Sequence, residues 1–263
     1  MRFFIEQVGL CGPGLTSWGS AQNILAGREP YSDGETIIPA LSLLPSNERR
    51  RAPRLVKLAL AALTDALPPR AEHPCDYASV FASSGGDGEA VHAIMETLAG
   101  TAPELSPTRF HHSVHNVAAG YWSIATGSRK ATTSLCAQNG SFVAGLMEAG
   151  CQAASASEKV VLVAYDLPYP TPLSEVRPIG GTFAVCFLLS PHASDETIAR
   201  IDFSLASAAP TLCRHAALEK YRRSIPAARA LPLLECVARR ENKTLTLAYR
   251  EDCSATLDVT PVS

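Results

Sequence analysis

The chain has 263 residues, of which 46% are hydrophobic and 18% charged, and its net charge is −2. That length and apolar content supply one large core or two small ones. The near-neutral balance disfavours a nucleic-acid partner, and no stretch approaches the ~20 apolar residues of a membrane span.

The opening segment, MRFFIEQVGLCGPG, carries one Arg and no small-residue cleavage site, so it reads as a first strand (2–9) and a turn, not a signal peptide. A helix follows in LTSWGSAQNILAG, with Ser or Thr as its cap. From Pro53 to Leu67, apolar residues return at spacings of three and four, which predicts a helix with one apolar stripe, stopped by Pro68–Pro69. Tyr77–Ala82 reads as a buried strand, SSGGDGE as a turn and Ala90–Leu98 as a helix. After a Pro-containing loop comes a helix from Asn116 to Ile124, ending at Gly127. TTSLCAQNG makes a short strand and a sharp turn, and Phe142–Ala153 a helix. Lys159–Tyr165 and Phe183–Leu189 are buried strands. Beyond them, ARIDFSLAS is a strand and Leu231–Arg240 a helix with Pro232 in its first turn. TLTLAYR and SATLDVT, separated by EDC, predict a terminal β-hairpin. This order implies an α/β fold: a mixed sheet layered with helices on both faces.

Eight cysteines are scattered singly with no CxxC pair, which fits reduced thiols in the cytoplasm, not a disulfide framework or zinc site. Ser83–Gly88 sits where a strand turns into a helix, a place for phosphate, but it lacks the Gly-Lys-Ser/Thr ending of a P-loop; a tight structural turn is the simpler reading. His111, His112 and His115 lack a neighbouring carboxylate or thiol, so hydrogen-bonded histidines are the simpler alternative to a metal site. Arg49, Arg50, Arg51, Arg54 and Lys57 form a solvated face or a dock for an acidic carrier protein. Cys136 stands at a strand-to-helix turn whose helix dipole favours a thiolate; the alternative is a small buried residue filling space.

The stretch from Ser106 to Leu167 resembles the nucleophile region of β-ketoacyl synthases. The runs SPTRFHHSVHNVAAGYWSIATG, TTSLCAQNGSFVAGLMEA and KVVLVAYDLP carry the likeness. VGLCGPGLTSWGSAQNILAGREP and ASVFASSGGDGEA are similar to that family's opening strand, turn and helix and its Gly-rich turn. The resemblance covers about residues 3–190. It implies a ketosynthase-like N-terminal half of a thiolase-type fold over residues 1–190, with a reduced C-terminal extension, residues 191–263, packed on the same domain. Within the superfamily, SVHNVAAGYWSIATG most resembles the half-size chain length factors of aryl polyene biosynthesis.

The departures from the family shape the functional expectation. The HGT-type and NxFGFGG-type runs that carry the family's histidines do not occur after residue 190, and His192 and His215 stand in other contexts. The nucleophile turn Cys136-Ala137-Gln138 is one residue longer than usual, and alignment on Ala144–Gly145 places Ala137 at the nucleophile position. The resemblance thus implies a non-catalytic chain length factor without a cofactor or metal. Its partner is a full-length ketosynthase in a cytoplasmic heterodimer, with acyl carrier protein reached through the complex. The expected partner interface and tunnel lining are Phe110, His111, His112, Ser113, Asn116, Thr133, Ser134 and Leu135, and the strand TTSLC is expected to pair across the two-fold. Phe110 is either a plug at the tunnel end or a core anchor. The alternatives are an acyltransferase using Cys136, and a metal-binding or scaffold protein.

Overall fold

The computed structural model describes residues 1–67, 76–101 and 104–262. Strand β1 (Arg2–Cys11) is followed by α1 (Trp18–Leu25), α2 (Ser46–Arg51), α3 (Arg54–Ala66), β2 (Ala78–Ala82), α4 (Gly88–Ala99), α5 (Pro107–Ser113) and α6 (Val117–Thr126). Next come β3 (Thr132–Leu135), α7 (Ser141–Ala156), β4 (Val160–Asp166), α8 (Leu173–Val176), β5 (Phe183–Ser190) and β6 (Ala199–Ala206). Helices α9 (Ala216–Ser224) and α10 (Leu231–Arg239) precede the hairpin β7 (Lys243–Ala248) and β8 (Ser254–Pro261). The strands form one sheet in the order β3-β2-β4-β5-β1-β6-β8-β7. β2 runs parallel to β3 and β4, and the remaining neighbours are antiparallel.

The centre of the sheet follows from composition. β4 (VVLVAYD) and β5 (FAVCFLLS) are buried at every position, as β-branched and aromatic residues covered on both faces should be. Their alternate residues feed two cores. Leu162, Val185 and Phe187 pack with α7 and α10, whereas Val161, Tyr165 and Leu188 pack with α3 and α6. α3 lies so close to β1 that a Cβ on Gly9 would fall 2.2 Å from the Ala62 carbonyl oxygen. Asp65 on α3 accepts from the backbone amides of Leu10 (2.9 Å) and Trp18 (2.6 Å), fastening that helix to the end of β1 and the start of α1.

The mixed sheet, the helices on both faces and the terminal hairpin are those the segment order implies. Ser17 caps α1, accepting from Ser20 N, and Gly127 ends α6 in the left-handed region at φ 69°. The Pro68–Pro69 stop lies outside the described residues, and α3 ends at Ala66. Residues 107–113, expected as loop, form helix α5, with Pro107 pre-set for its first turn. α9 faces the core with Leu218 and Tyr221, and its Glu219 carboxylate bridges Arg222 (2.7 Å) and Arg223 (2.6 Å). Residues beyond 190 continue the same sheet, since β6 pairs with β1 and then with β8.

Candidate functional site

Two features converge at the β3 end of the sheet: an apolar face and a strained elbow. Among the described residues β3 pairs only with β2, and its other edge has no partner strand. Thr133, Ser134 and Leu135 are half-buried there. α6 packs on β3, α5 on α6 and α4 on α5. These elements and the segment between them carry a run of exposed apolar side chains: Met95, Leu98, Leu105, Phe110, Val114 and Ile124. Phe110 is 61% exposed, which removes the core-anchor alternative. Exposed apolar side chains gathered on adjoining elements are what an interaction surface offers.

The histidines divide their work. His112 Nε2 lies 3.2 Å from the Tyr121 hydroxyl, and burial and the charge of His111 lower its pKa. His115 Nε2 lies 2.9 Å from the Leu135 carbonyl oxygen and so braces the end of β3. His111 is exposed, and Ser113 donates back to Phe110 O (2.8 Å). Asn116 stands exposed at the start of α6, without a side-chain cap bond. Among the described residues, no three His, Cys, Asp or Glu side chains are grouped to hold a metal ion. His111, His112, Tyr121 and Ile124 instead line a hollow of about 320 Å³ with Glu48 and Arg51 of α2.

Beyond Leu135 the chain turns sharply into α7 through a 3-10 turn at Gln138–Gly140. Gln138 has φ 50°, the left-handed conformation of a strained strand-to-helix elbow. The strained position is therefore one residue beyond Ala137. Cys136 lies before it, exposed, with its Sγ 3.0 Å from the Ser84 carbonyl oxygen as donor. Ser141, missed in the sequence, braces the elbow: its hydroxyl accepts from Ala137 N (3.0 Å) and donates to Gln138 O (2.7 Å). Its signal was a hydroxyl residue at the first position of a helix that follows a sharp turn.

The Gly-rich segment closes against this elbow, and several of its amides are engaged internally. Gly86 N donates to Ser83 Oγ (3.1 Å), and Asp87 caps α4 by accepting from Ala90 N (3.0 Å). Ser84 N donates to one oxygen of Asp166 and Ala227 N to the other, each at 2.8 Å. Burial holds the pKa of Asp166 up at about 6, against the lowering effect of those amides. This geometry favours the structural-turn reading over phosphate binding. On the far side of the elbow, the tip of the β7–β8 hairpin closes a cleft of about 760 Å³. The hairpin abuts the elbow so tightly that a Cβ on Gly140 would meet Tyr249 O at 2.7 Å.

Among the described residues no helix is long and apolar enough to cross a membrane. Residues 21–251 match the family profile "Beta-ketoacyl synthase, N-terminal domain", a match that runs on past residue 190. Among curated proteins, none matches this sequence. Three of the solved structures that share the fold illustrate the likeness. One is "Ketosynthase (ApeO) in Complex with its Chain Length Factor (ApeC) from Xenorhabdus doucetiae", with TM-score 0.75 and 22% identity, covering 98% of this chain and 99% of that one. "The ishigamide ketosynthase/chain length factor" matches with TM-score 0.74 and 14% identity over 100% of both chains. A type II polyketide synthase acyl-carrier protein in complex with its ketosynthase, AntDE:AntF, matches with TM-score 0.71 and 9% identity over 99% of both. The mixed eight-stranded sheet is thus a thiolase-like fold of the ketosynthase and chain length factor kind.

Proposed function

Because this chain belongs to the beta-ketoacyl synthase N-terminal domain family, we propose that it is a non-catalytic chain length factor. It pairs with a full-length ketosynthase in a polyketide-type, aryl polyene elongation system. The observation that carries this reading is the elbow. A condensing nucleophile must stand at the strained turn, and Gln138 stands there at φ 50°. A carboxamide forms no acyl thioester. Cys136 lies two residues earlier, its thiol directed at the Ser84 carbonyl.

The edge of β3, unpaired among the described residues, and the exposed Phe110, Val114 and Ile124 support the partner side of the proposal. They make an apolar face of the kind an obligate interface covers. Acyl carrier protein reaches the chemistry through the partner, as the likeness to an acyl-carrier protein–ketosynthase complex suggests. The experiment is co-expression with a ketosynthase from the same source. The pair co-purifies and condenses acyl and malonyl units, whereas this chain alone does not; condensation by the single chain at ketosynthase-like rates overturns the reading.

A second reading, acyl transfer through Cys136, draws on that thiol's exposure. Trapping an acyl thioester on Cys136 by mass spectrometry, with activity lost in Cys136→Ala, would establish it in place of the first.

A further inference from the structure

The cleft beside the elbow has one wall without an explained partner. Arg229 lies in a 3-10 turn, Ala227–Ala230, whose alanines are all buried. Ala227 N is pinned to Asp166, so the turn cannot swing its arginine freely to solvent. Nη1 of Arg229 donates to Ala248 O (3.0 Å) and, more weakly, to Tyr249 O (3.5 Å). Those carbonyls orient the guanidinium but leave its charge uncompensated. Among the described residues, no carboxylate lies within ion-pair distance of it. The nearby cation, Arg222, is paired with Glu219. Burial, with Arg222, lowers the Arg229 pKa, the direction expected of a desolvated cation lacking a counter-charge. A half-buried cation held this way is stabilised when an anion meets it.

The opposite wall supplies amides. Gln138 and Asn139 line the same cleft. The Asn139 side-chain oxygen already accepts from Arg177 (3.3 Å), which leaves its NH₂ group for an acceptor. Arg250 and Glu251, of opposite charge, complete the rim on the exposed hairpin tip. The volume, about 760 Å³, falls within the range of small-molecule sites, about 300–1,000 Å³.

We propose that this cleft binds a small organic or inorganic acid, with a carboxylate or phosphate on Arg229 and its acceptor oxygens towards the Gln138 and Asn139 amides. Every wall comes from this chain, so the site exists whether or not the chain pairs with a ketosynthase, and the two proposals fail separately.

The test is isothermal titration of the purified chain with sodium malonate and, separately, sodium phosphate, against sodium chloride at equal ionic strength. Saturable binding of either acid above the chloride control is expected, and the stronger of the two identifies the acid class. Arg229→Gln weakens it by about tenfold or more, the effect of losing a charge-assisted contact. Gln138→Ala, which leaves the Arg229 anchor on the hairpin intact, weakens it severalfold. Should Arg229→Gln fail to fold by circular dichroism, Gln138→Ala decides alone. No saturable binding of either acid, or binding untouched in the folded variants, overturns the proposal.

Discussion

Asp166 shows how one side chain couples the strand ends to solution pH. Its folded pKa, about 6, lies above the ordinary value of 3.8, so the folded chain holds this proton more tightly than the unfolded one. Its contribution to stability is therefore fully present below about pH 4 and is lost as pH rises through 6, by up to about 3 kcal/mol. Above that, the curve is flat for this group. Asp166→Asn should remove that slope, read as the wild-type minus variant difference in urea unfolding between pH 4 and pH 7; an unchanged difference would refute it. Cys136 gives the second prediction at this scale. It is exposed and, among the described residues, donates to the Ser84 carbonyl alone, so Cys136→Ala should cost at most about 1 kcal/mol and leave condensation by a complex intact. In the sequence, alignment on Ala144–Gly145 puts Ala137 at the nucleophile position. The left-handed backbone angle, which no residue type dictates, falls one residue later, at Gln138.

Among the elements, legibility followed burial. β4 and β5 were readable because both faces demand apolar residues, and α3 because its stripe faces a core. α5 was hidden because it buries none of its residues, and α9 because its buried face mixes Leu218 with the Arg222–Glu219 ion pair. Contacts between distant elements were not readable at all. Nothing in EDC announces that the hairpin tip lands on Gly140, 2.7 Å from a would-be Cβ. Gly140→Ala should therefore destabilise by about 1–3 kcal/mol through overpacking. Amide exchange should rise first at residues 248–254; a thermal transition equal to wild type would count against the contact. On α5, the proposed role in length control predicts that Phe110→Ala or His112→Ala, in complex with a ketosynthase, lengthens the product without abolishing condensation. Each methylene is worth only about 0.8 kcal/mol, so the shift is graded. An unchanged product distribution from both variants, with the complex assembled, removes this helix from length control.

For the whole molecule, the two ends of the sheet differ. β7 is partly covered at its edge, where Thr211 exchanges backbone and hydroxyl bonds with Thr246. β3 has no such cover within the described chain, and the apolar face adjoins it. An open edge beside an apolar face promotes association. The isolated chain should self-associate in analytical ultracentrifugation and become a defined heterodimer with a ketosynthase. Phe110→Asp with Ile124→Asp should keep it monomeric and abolish pairing. A wild-type chain that stays monomeric at high concentration and ignores the ketosynthase would contradict this.

β1 carries a consequence for how the chain is made. It lies between β5 and β6, so its ladder partners are residues 184–190 and 199–202. On a ribosome adding about 5–20 residues per second, this first strand waits about 10–40 s before either neighbour exists. Throughout that interval a ten-residue apolar ribbon, RFFIEQVGLC, hangs from the ribosome with both rims bare. Synthesis itself, more than the finished fold, is then the stage at which this protein depends on chaperones. Slowing translation should raise the insoluble fraction even when a partner is abundant.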